Sequence, residues 1–432
     1  METCARVYRP RRPRESPLFR LVSQHIDELL RAWPERFERT HGPLRPVVER
    51  VLRDFLTCGL PEHGFARCWC PTCRLSYLVP SSCRVRSFCP SCEKKRSLLW
   101  AEWLREEVLD PVPHRHLVLT IPRVLRPLFR RRRVLLLELA HCAAEAVSEL
   151  MRRALGAEAR PGIVVSIATA GDLLQWHPHG HVLASDGAFS DDATFHPLPS
   201  WDGGTLMVLF RERLLARLVE RHAISAELAA KLLTWRHPGF SAHVGEPISP
   251  DDPKAIEDMA GSVTRAPLSL QRLVYIDGQR AVIYKALKPN PTLGRNFEAM
   301  DPLEWLARMT DHIPDPGKHQ TLFYGAYSNR VRGDRSPEKP DQPVVEAPPK
   351  KRRCSASWAR LISKVFQADP LTCRKCGGKL RLIAYVTDAG PIRPILDHLG
   401  LSPPENEKPP PPVPEVVRVP VNDDGWEIAA PL

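Results

Sequence analysis

The sequence lacks any long apolar run. No stretch of about 18 consecutive apolar residues occurs, so we expect no transmembrane helix and no membrane partner. The segment Met1 to Arg14 is basic, but no apolar stretch follows it, so we do not expect a secretory signal. No internal repeat is evident either.

Signs of disulfide chemistry are also missing. The twelve cysteines are concentrated in Cys-x-x-Cys pairs, with no export signal beside them. This combination indicates a reducing, cytoplasmic compartment and thiolate metal sites rather than disulfides. A length of 432 residues allows two or three domains, each with its own core.

Basic residues outnumber acidic ones, 62 to 50, which gives a net charge of +12. An excess of this kind favours a polyanionic partner, and phosphate neutralisation by such residues gives salt-sensitive nucleic-acid binding. Any single basic run is more often a solvated surface, but three runs together favour nucleic acid. The runs are Arg84, Arg86, Lys94, Lys95 and Arg96 around a cysteine pair; Arg130, Arg131, Arg132 and Arg133; and Lys350 to Arg353.

Three histidines, His177, His179 and His181, occupy alternate positions ahead of an apolar segment. Residues two apart on a strand project to the same side, so these imidazoles are expected to converge on one metal ion or one phosphate. Imidazole is the commonest side-chain metal ligand near neutral pH. For any one of them, the alternative is a solvated strand position or a hydrogen-bonded core histidine.

Two cysteine pairs, Cys70/Cys73 and Cys89/Cys92, are separated by fifteen residues. This spacing predicts two knuckle turns that place four thiolates around one structural Zn²⁺, whereas a redox thiol pair needs only one Cys-x-x-Cys. The nearby Cys58, Cys68 and Cys83 are interpreted as buried free cysteines, with spare ligands or a second site with His63 as the alternative.

A further pair, Cys373 and Cys376, has no obvious second half in its own neighbourhood. Cys354 is the only candidate nearby. The pair is therefore compatible with a second zinc site or with a metal-free hairpin.

Strand-like segments separated by helical periodicity, with an Asp277-Gly278 hairpin signal, predict an α+β core. The expected organisation runs along the chain as follows: a helical and zinc-binding domain, 16–108; a catalytic core, 112–333; a linker rich in proline and charge, 334–353; a Cys-x-x-Cys domain, 354–400; and a disordered proline-rich tail, 401–432.

Five segments of the sequence follow one another along the chain and together carry a resemblance to a known family. They are the cysteine segment 58–96, Leu117 to Pro122, Gly171 to His181, Arg265 to Leu270 and Tyr324 to Arg330. From about residue 20 to residue 400, the chain resembles the bacterial rolling-circle insertion-sequence transposases, which belong to the HUH class of single-strand DNA endonucleases.

The resemblance implies an HUH-endonuclease-like central antiparallel sheet with flanking helices, plus an N-terminal zinc ribbon. It implies that His179 and His181 hold Mg²⁺ or Mn²⁺, with His177 secondary, while a tyrosine attacks the scissile phosphate. The product is a 5′-phosphotyrosine with a free 3′-hydroxyl. The implied partner is DNA, as single-stranded or hairpin ends of an insertion element.

Two departures from the family pattern stand out. Gly180 replaces the bulky apolar residue between the paired histidines, which weakens a strand but removes no ligand. Ser262 and Asp258 occupy the positions of the family tyrosines, three and seven residues before Arg265. Tyr275 and Tyr284 are the candidate substitutes.

Two alternatives follow. The chain is either an active transposase or a DNA-binding remnant that does not nick, and a plasmid-type replication initiator shares the same chemistry. Arg265 is expected to contact DNA along with the first two basic runs.

Overall fold

The protein is described from a computed structural model, which covers residues 6–7, 11–235, 239–264, 266–290, 294–335, 368–369 and 371–401. Arg265, Cys354, the basic run 350–353 and most of the predicted linker and tail therefore lie outside the described residues. No helix within the described ranges is long and apolar enough to cross a membrane.

The helices of the described ranges are numbered in chain order. They are α1 Pro17–Arg36, α2 Glu38–His41, α3 Pro46–Leu56, α4 Pro90–Trp103, α5 Arg126–Arg131, α6 Leu135–Leu155, α7 Gly203–Glu220, α8 Ala226–Thr234, α9 Pro253–Val263, α10 Pro302–Thr310, α11 Asn329–Arg335 and α12 Ala389–His398. Proline at the first turn of α1, α3 and α4 suits their starts, because its missing N–H has no partner there in any helix.

The strands are numbered in the same way. They are β1 Arg6–Val7, β2 Phe65–Cys70, β3 Leu75–Pro80, β4 His114–Thr120, β5 Gly162–Ala170, β6 Trp176–Ser185, β7 Gly187–Phe189, β8 Phe195–Pro197, β9 Ser241–Ile248, β10 Leu273–Ile276, β11 Ala281–Asn290, β12 Arg295–Met300, β13 Thr321–Gly325, β14 Ala368–Asp369 and β15 Arg381–Val386.

A five-stranded sheet in the order β13-β5-β6-β4-β9 forms the centre of the molecule. Every neighbouring pair in it is antiparallel. The predicted fold class, a central antiparallel sheet with flanking helices and a cysteine-rich N-terminal module, is confirmed. The histidine strand β6 is the middle strand, so hydrogen bonds to β5 and β4 fix its backbone on both sides.

The two faces of this sheet differ because side chains alternate along each strand. One face carries buried residues such as Leu117, Leu119 and Val182, which form one core with apolar residues of α6 and α7. The opposite face carries the three histidines of β6. The alternation predicted from the His-x-His spacing is therefore present.

The predicted boundary near residue 110 does not separate two cores. Apolar residues of α1 and α3 share one cluster with the three-stranded β10-β11-β12 sheet and with α10. Arg45 and Asp315 reinforce this contact, since an Nη1 of Arg45 lies 2.5 Å from Oδ1 of Asp315. The N-terminal helices thus pack on the middle of the chain as one body.

The predicted separate C-terminal Cys-x-x-Cys domain is corrected by the structure. Strand β15 pairs antiparallel with β2 and completes a small sheet in the order β15-β2-β3. Ile392 and Leu396 of α12 pack on Phe65 and Leu78 of the same sheet. Residues 371–401 are therefore part of the N-terminal cysteine module. The pairing escaped prediction because it joins segments about three hundred residues apart, which local patterns do not reveal.

Candidate metal centres and nucleic-acid site

The β2–β3 hairpin separates the two cysteine pairs that were predicted to share one metal. Cys70 and Cys73 lie at its turn, whereas Cys58 precedes it and Cys83, Cys89 and Cys92 follow it. Each strand is six residues long, which at a rise of about 3.3 Å per residue places the two ends roughly 17 Å apart. The expected single tetrahedron on Cys70, Cys73, Cys89 and Cys92 is therefore not formed.

The first cysteine cluster consists instead of Cys58, Cys83, Cys89 and Cys92. The Sγ of Cys58 lies 3.7 Å from that of Cys92 and 3.6 Å from that of Cys89. A tetrahedral Zn²⁺ with bonds of about 2.3 Å holds its sulfur ligands about 3.8 Å apart, so the spacing fits. Hydrogen bonds from the neighbouring thiols, aided by the Arg11 guanidinium, lower the pKa of Cys58 and favour its thiolate.

The second cysteine cluster consists of Cys70, Cys73, Cys373 and Cys376. Its sulfur separations are 3.6 Å between Cys70 and Cys376 and 4.0 Å between Cys73 and Cys373. The hydroxyl of Tyr77 lies 3.3 Å from the Sγ of Cys373. Among the described residues, the Cys373/Cys376 knuckle thus faces the N-terminal pair Cys70 and Cys73.

The histidine strand orients two imidazole nitrogens toward each other. The Nε2 atoms of His179 and His181 are 3.1 Å apart. Nδ1 of His179 donates to the carbonyl of His177 at 2.7 Å, and Nδ1 of His181 lies 2.9 Å from Nε2 of His116. Such outer hydrogen bonds fix the ring and leave the other nitrogen for a metal. The geometry fits two cis ligands of one ion.

Burial keeps these imidazoles neutral, which ligation requires. Burial, followed by the neighbouring His179 and His116, lowers the pKa of His181 to about 3. Burial also lowers the pKa of His177 to about 4 and that of His179 in the same direction. Nε2 of His177 is buried with no hydrogen-bond partner among the described residues.

A cavity of about 940 Å³ opens on this face of the sheet, and we call it the histidine cavity. His179 and His181 line its floor, and α4, the end of α9, and α11 form its walls. Helix α9 is fixed there because Met259, Ala260 and Val263 pack against Trp100 and Leu104.

Ser262, the residue at the family's tyrosine position, lines the histidine cavity. Its hydroxyl donates to the carbonyl of Met259 at 2.6 Å, within its own helix. Asp258, one turn earlier, is exposed and does not line the cavity. The structure thus brings Ser262 to the same cavity as the histidine pair.

The tyrosines of the described ranges all lie elsewhere, and none lines this cavity. The hydroxyl of Tyr275 is 2.9 Å from Nε2 of His25 on α1. That of Tyr284, fully buried, accepts a hydrogen bond from the backbone N–H of Ser269. Tyr324 and Tyr327 contact His141 and His114, while Tyr77 and Tyr385 belong to the cysteine module. Both candidate substitutes, Tyr275 and Tyr284, are therefore held away from the histidine pair.

The residues of the first basic run, 84–96, lie in two different places. Arg86 and Arg96 line the histidine cavity. Arg84 and Lys94 are exposed beside the first cysteine cluster. Lys95 is more enclosed, and burial lowers the pKa of its amine.

The second basic run is largely occupied within the chain. Arg133 donates to the carbonyls of Asp311 and Ile313, and Arg130 pairs with the carboxylate of Asp311 at 3.3 Å. Arg132 donates to two carbonyls beyond the end of α7. These contacts give the three residues partners within the chain, and their contact with DNA stays a prediction. Arg131 alone of this run is exposed without such a contact among those described.

Sequence reasoning missed three residues of the site. His116 alternates with His114 on β4, and this alternation is the local signal that could have identified it. Arg272, in the turn just before β10, and Arg332, on α11, also line the cavity. Neither residue lies in a basic run. Only the folded arrangement brings these guanidinium groups to the histidines.

Comparisons with known proteins agree with this architecture. Residues 29–121 match a family model described as "Transposase zinc-binding domain", and residues 162–335 match one described as "Putative transposase". The chain belongs to this transposase family. The first match contains the whole first cysteine cluster, and the second contains the histidine strand and α9. The match and the clusters together support structural Zn²⁺.

Two relatives are similar over most of their length. The transposase for insertion sequence element IS801 of Pseudomonas savastanoi pv. phaseolicola is 26% identical over 80% of this chain and 86% of its own. The protein named "Putative transposase y4qJ" of Sinorhizobium fredii is 26% identical over 71% of this chain and 81% of its own. No solved structure matches the chain.

Proposed function

We propose that this chain is a rolling-circle type transposase that binds a single DNA strand in the histidine cavity but lacks the family's tyrosine chemistry. One observation carries the proposal. The cavity contains the histidine pair and Ser262 together, while no described tyrosine lines it. The two relatives are named as transposases, which favours element ends over a plasmid origin as the substrate.

The cavity has the composition of a single-strand site. Four guanidinium groups line it, from Arg86, Arg96, Arg272 and Arg332, and that of Arg272 is also paired with the carboxylate of Asp172. Guanidinium groups bind phosphate oxygens in a planar, bidentate fashion. Trp103, which is half-buried in the same wall, supplies aromatic surface of the kind on which unpaired bases stack.

The histidine pair would hold the divalent ion, with Mn²⁺ favoured over Mg²⁺ because nitrogen ligands suit the harder ion less well. Such an ion polarises the scissile phosphate and neutralises the charge that develops on it. His116 and the carbonyl of His177 keep the two Nε2 atoms aimed together. The four arginines of the cavity would bind the phosphate oxygens next to the histidine pair.

The missing step is the attack. The Ser262 hydroxyl is turned back onto the carbonyl of Met259, and a serine side chain is about one ring shorter than tyrosine. Positioning of metal and phosphate without an in-line nucleophile gives little acceleration. We therefore expect the wild-type chain to bind single strands without forming a covalent adduct.

The test is a denaturing gel that detects covalent protein–DNA adducts with single-stranded DNA and Mn²⁺. We expect no adduct in wild type, an adduct in Ser262→Tyr, and none in the matched Ser262→Phe, which has the ring without the hydroxyl. Adding His179→Ala to Ser262→Tyr should abolish the adduct. All variants should bind DNA with an affinity that falls steeply with salt.

Two results would count against the proposal. A robust adduct in wild type would show that the chain has its own nucleophile. No adduct in Ser262→Tyr, with DNA and Mn²⁺ still bound, would show that position 262 is not where the attacking group belongs.

A further inference from the structure

The second cysteine cluster lies only half inside the matched zinc-binding domain. The family match ends at residue 121, so it includes Cys70 and Cys73 but not Cys373 and Cys376. The two halves are brought together over a sequence separation of 300 residues between Cys73 and Cys373. No part of the proposed DNA chemistry requires this arrangement.

From these residues we propose that the chain holds a second structural Zn²⁺, which fastens residues 371–401 to the N-terminal module. The ligands are Cys70, Cys73, Cys373 and Cys376, whose ligand atoms all lie within 4.8 Å of one another. Each pair is a Cys-x-x-Cys knuckle, as in zinc ribbons built from two such turns. This ion would have four thiolate ligands, as would a structural Zn²⁺ in the first cysteine cluster.

The sulfur spacing supports a metal rather than disulfides. Cys70 and Cys376 are 3.6 Å apart, and Cys73 and Cys373 are 4.0 Å apart. Tetrahedral Zn²⁺ holds its sulfur ligands about 3.8 Å apart. A disulfide would hold two of them at about 2.05 Å.

Local hydrogen bonds shape both knuckles for ligation. The N–H of Cys73 donates to the Sγ of Cys70 at 3.4 Å, and the N–H of Gly378 donates to the Sγ of Cys376 at 3.4 Å. Gly377 has a φ of +69°, which is the left-handed conformation that lets the chain turn back after the second cysteine. Such N–H donors stabilise metal-bound thiolates.

Apolar burial immediately around the second cysteine cluster is small. Around the cluster the buried residues are mainly the cysteines themselves with Ala66, Val79 and Leu380. Ile383 and Tyr385 of β15 remain more than half exposed, at 51% and 56%. A metal bond network supplies folding energy where the core is this small.

The first test is zinc content of the reduced full-length chain by elemental mass spectrometry. Wild type should contain two equivalents, Cys373→Ser with Cys376→Ser one equivalent, and Cys142→Ser, a buried cysteine of α6, two. The equivalent that remains in the double variant reports that the first cluster is still folded. One equivalent in wild type, or two in the double variant, would overturn the proposal.

A second measurement distinguishes a metal ion that holds residues 371–401 on the N-terminal module from one that only binds there. Hydrogen exchange should show β15 amides losing protection in the double variant, while amides of β4, β5 and β6 stay protected. Unchanged protection of β15 would mean that the metal does not hold the segment. Intact mass under non-reducing conditions decides against zinc if the wild-type chain is about 4 Da light, because two disulfides remove four hydrogens.

Discussion

Gly180 offers a sharp test of how the central sheet is packed. It lies between the two candidate metal ligands, pairs with Leu119 on β4 and Ile167 on β5, and faces the apolar side of the sheet. A Cβ at this position would lie 3.8 Å from Cγ1 of Val165 and 4.0 Å from Cβ of Ala143. Both distances are ordinary van der Waals contacts, so Gly180→Ala fits without movement.

We expect Gly180→Ala to raise the free energy of unfolding by about 0.5–1.8 kcal/mol. Alanine in place of glycine within a regular element contributes about 0.5–1 kcal/mol. Burial of the new methyl contributes up to about 0.8 kcal/mol more. Gly180→Val should be less stable than Gly180→Ala, because two further methyl groups overfill the contact with Val165 and Ala143 at a cost of about 1–3 kcal/mol.

Urea unfolding, followed by far-UV circular dichroism at constant zinc, measures the effect as a shift in midpoint at unchanged slope. The matched control is Gly162→Ala on β5, whose Cβ would collide with the buried ring of Tyr327 and should lower stability. Mn²⁺ affinity should not change in Gly180→Ala, because the imidazoles lie on the opposite face. A loss of stability like that of Gly162→Ala would refute this account of the packing.

Two further predictions concern charge. Burial lowers the pKa of His312 to about 4, so between pH 4 and 6.5 the unfolded chain binds a proton there that the native chain does not. The free energy of unfolding should therefore rise with pH across this window, by about 3 kcal/mol for such a group, and His312→Gln should flatten the rise measured by urea unfolding. Arg133→Met, which removes two carbonyl contacts and the pairing with Asp315, should lower stability by about 2–4 kcal/mol, whereas the exposed Arg131→Met should change it by less than about 0.5 kcal/mol. Equal DNA affinity of folded Arg133→Met and wild type would support the structural role of that run, and a selective loss of affinity would contradict it.

Much of the fold could be predicted because its signals are local. Apolar alternation locates β4, β5 and β6, and a terminal proline with helical periodicity locates α1 and α3. Residues 130–155 have the periodicity of one long helix, but the structure interrupts it, since α5 ends at Arg131 and α6 begins at Leu135. The His-x-His spacing also located the two Nε2 atoms that meet, because strand alternation dictates it.

The predictions that differ from the structure concern residues whose partners lie far away in the sequence. Two Cys-x-x-Cys pairs fifteen residues apart satisfy the zinc-ribbon spacing, but the intervening hairpin directs them to opposite ends. Their true partners are Cys58 and Cys83 on one side and a C-terminal knuckle on the other. In the same way, the Arg130–Arg133 run has the composition of a DNA-contacting surface, yet Arg130 and Arg133 pair with acceptors around residues 311–315. Arg132 donates to the carbonyls of residues 221 and 222. No local pattern links these distant acceptors to the run.

The absence of a tyrosine at position 262 becomes meaningful only in the folded chain. On sequence alone, any tyrosine near α9 is a candidate to substitute for the missing nucleophile, and Tyr275 and Tyr284 are the nearest. The structure gives each of these hydroxyls a partner outside the histidine cavity. Freeing Tyr284, which is fully buried, would require opening the core that joins α10 to the β10-β11-β12 sheet. We therefore predict that Ser262→Tyr, rather than a release of Tyr284, gives the chain a tyrosine that can form a covalent adduct.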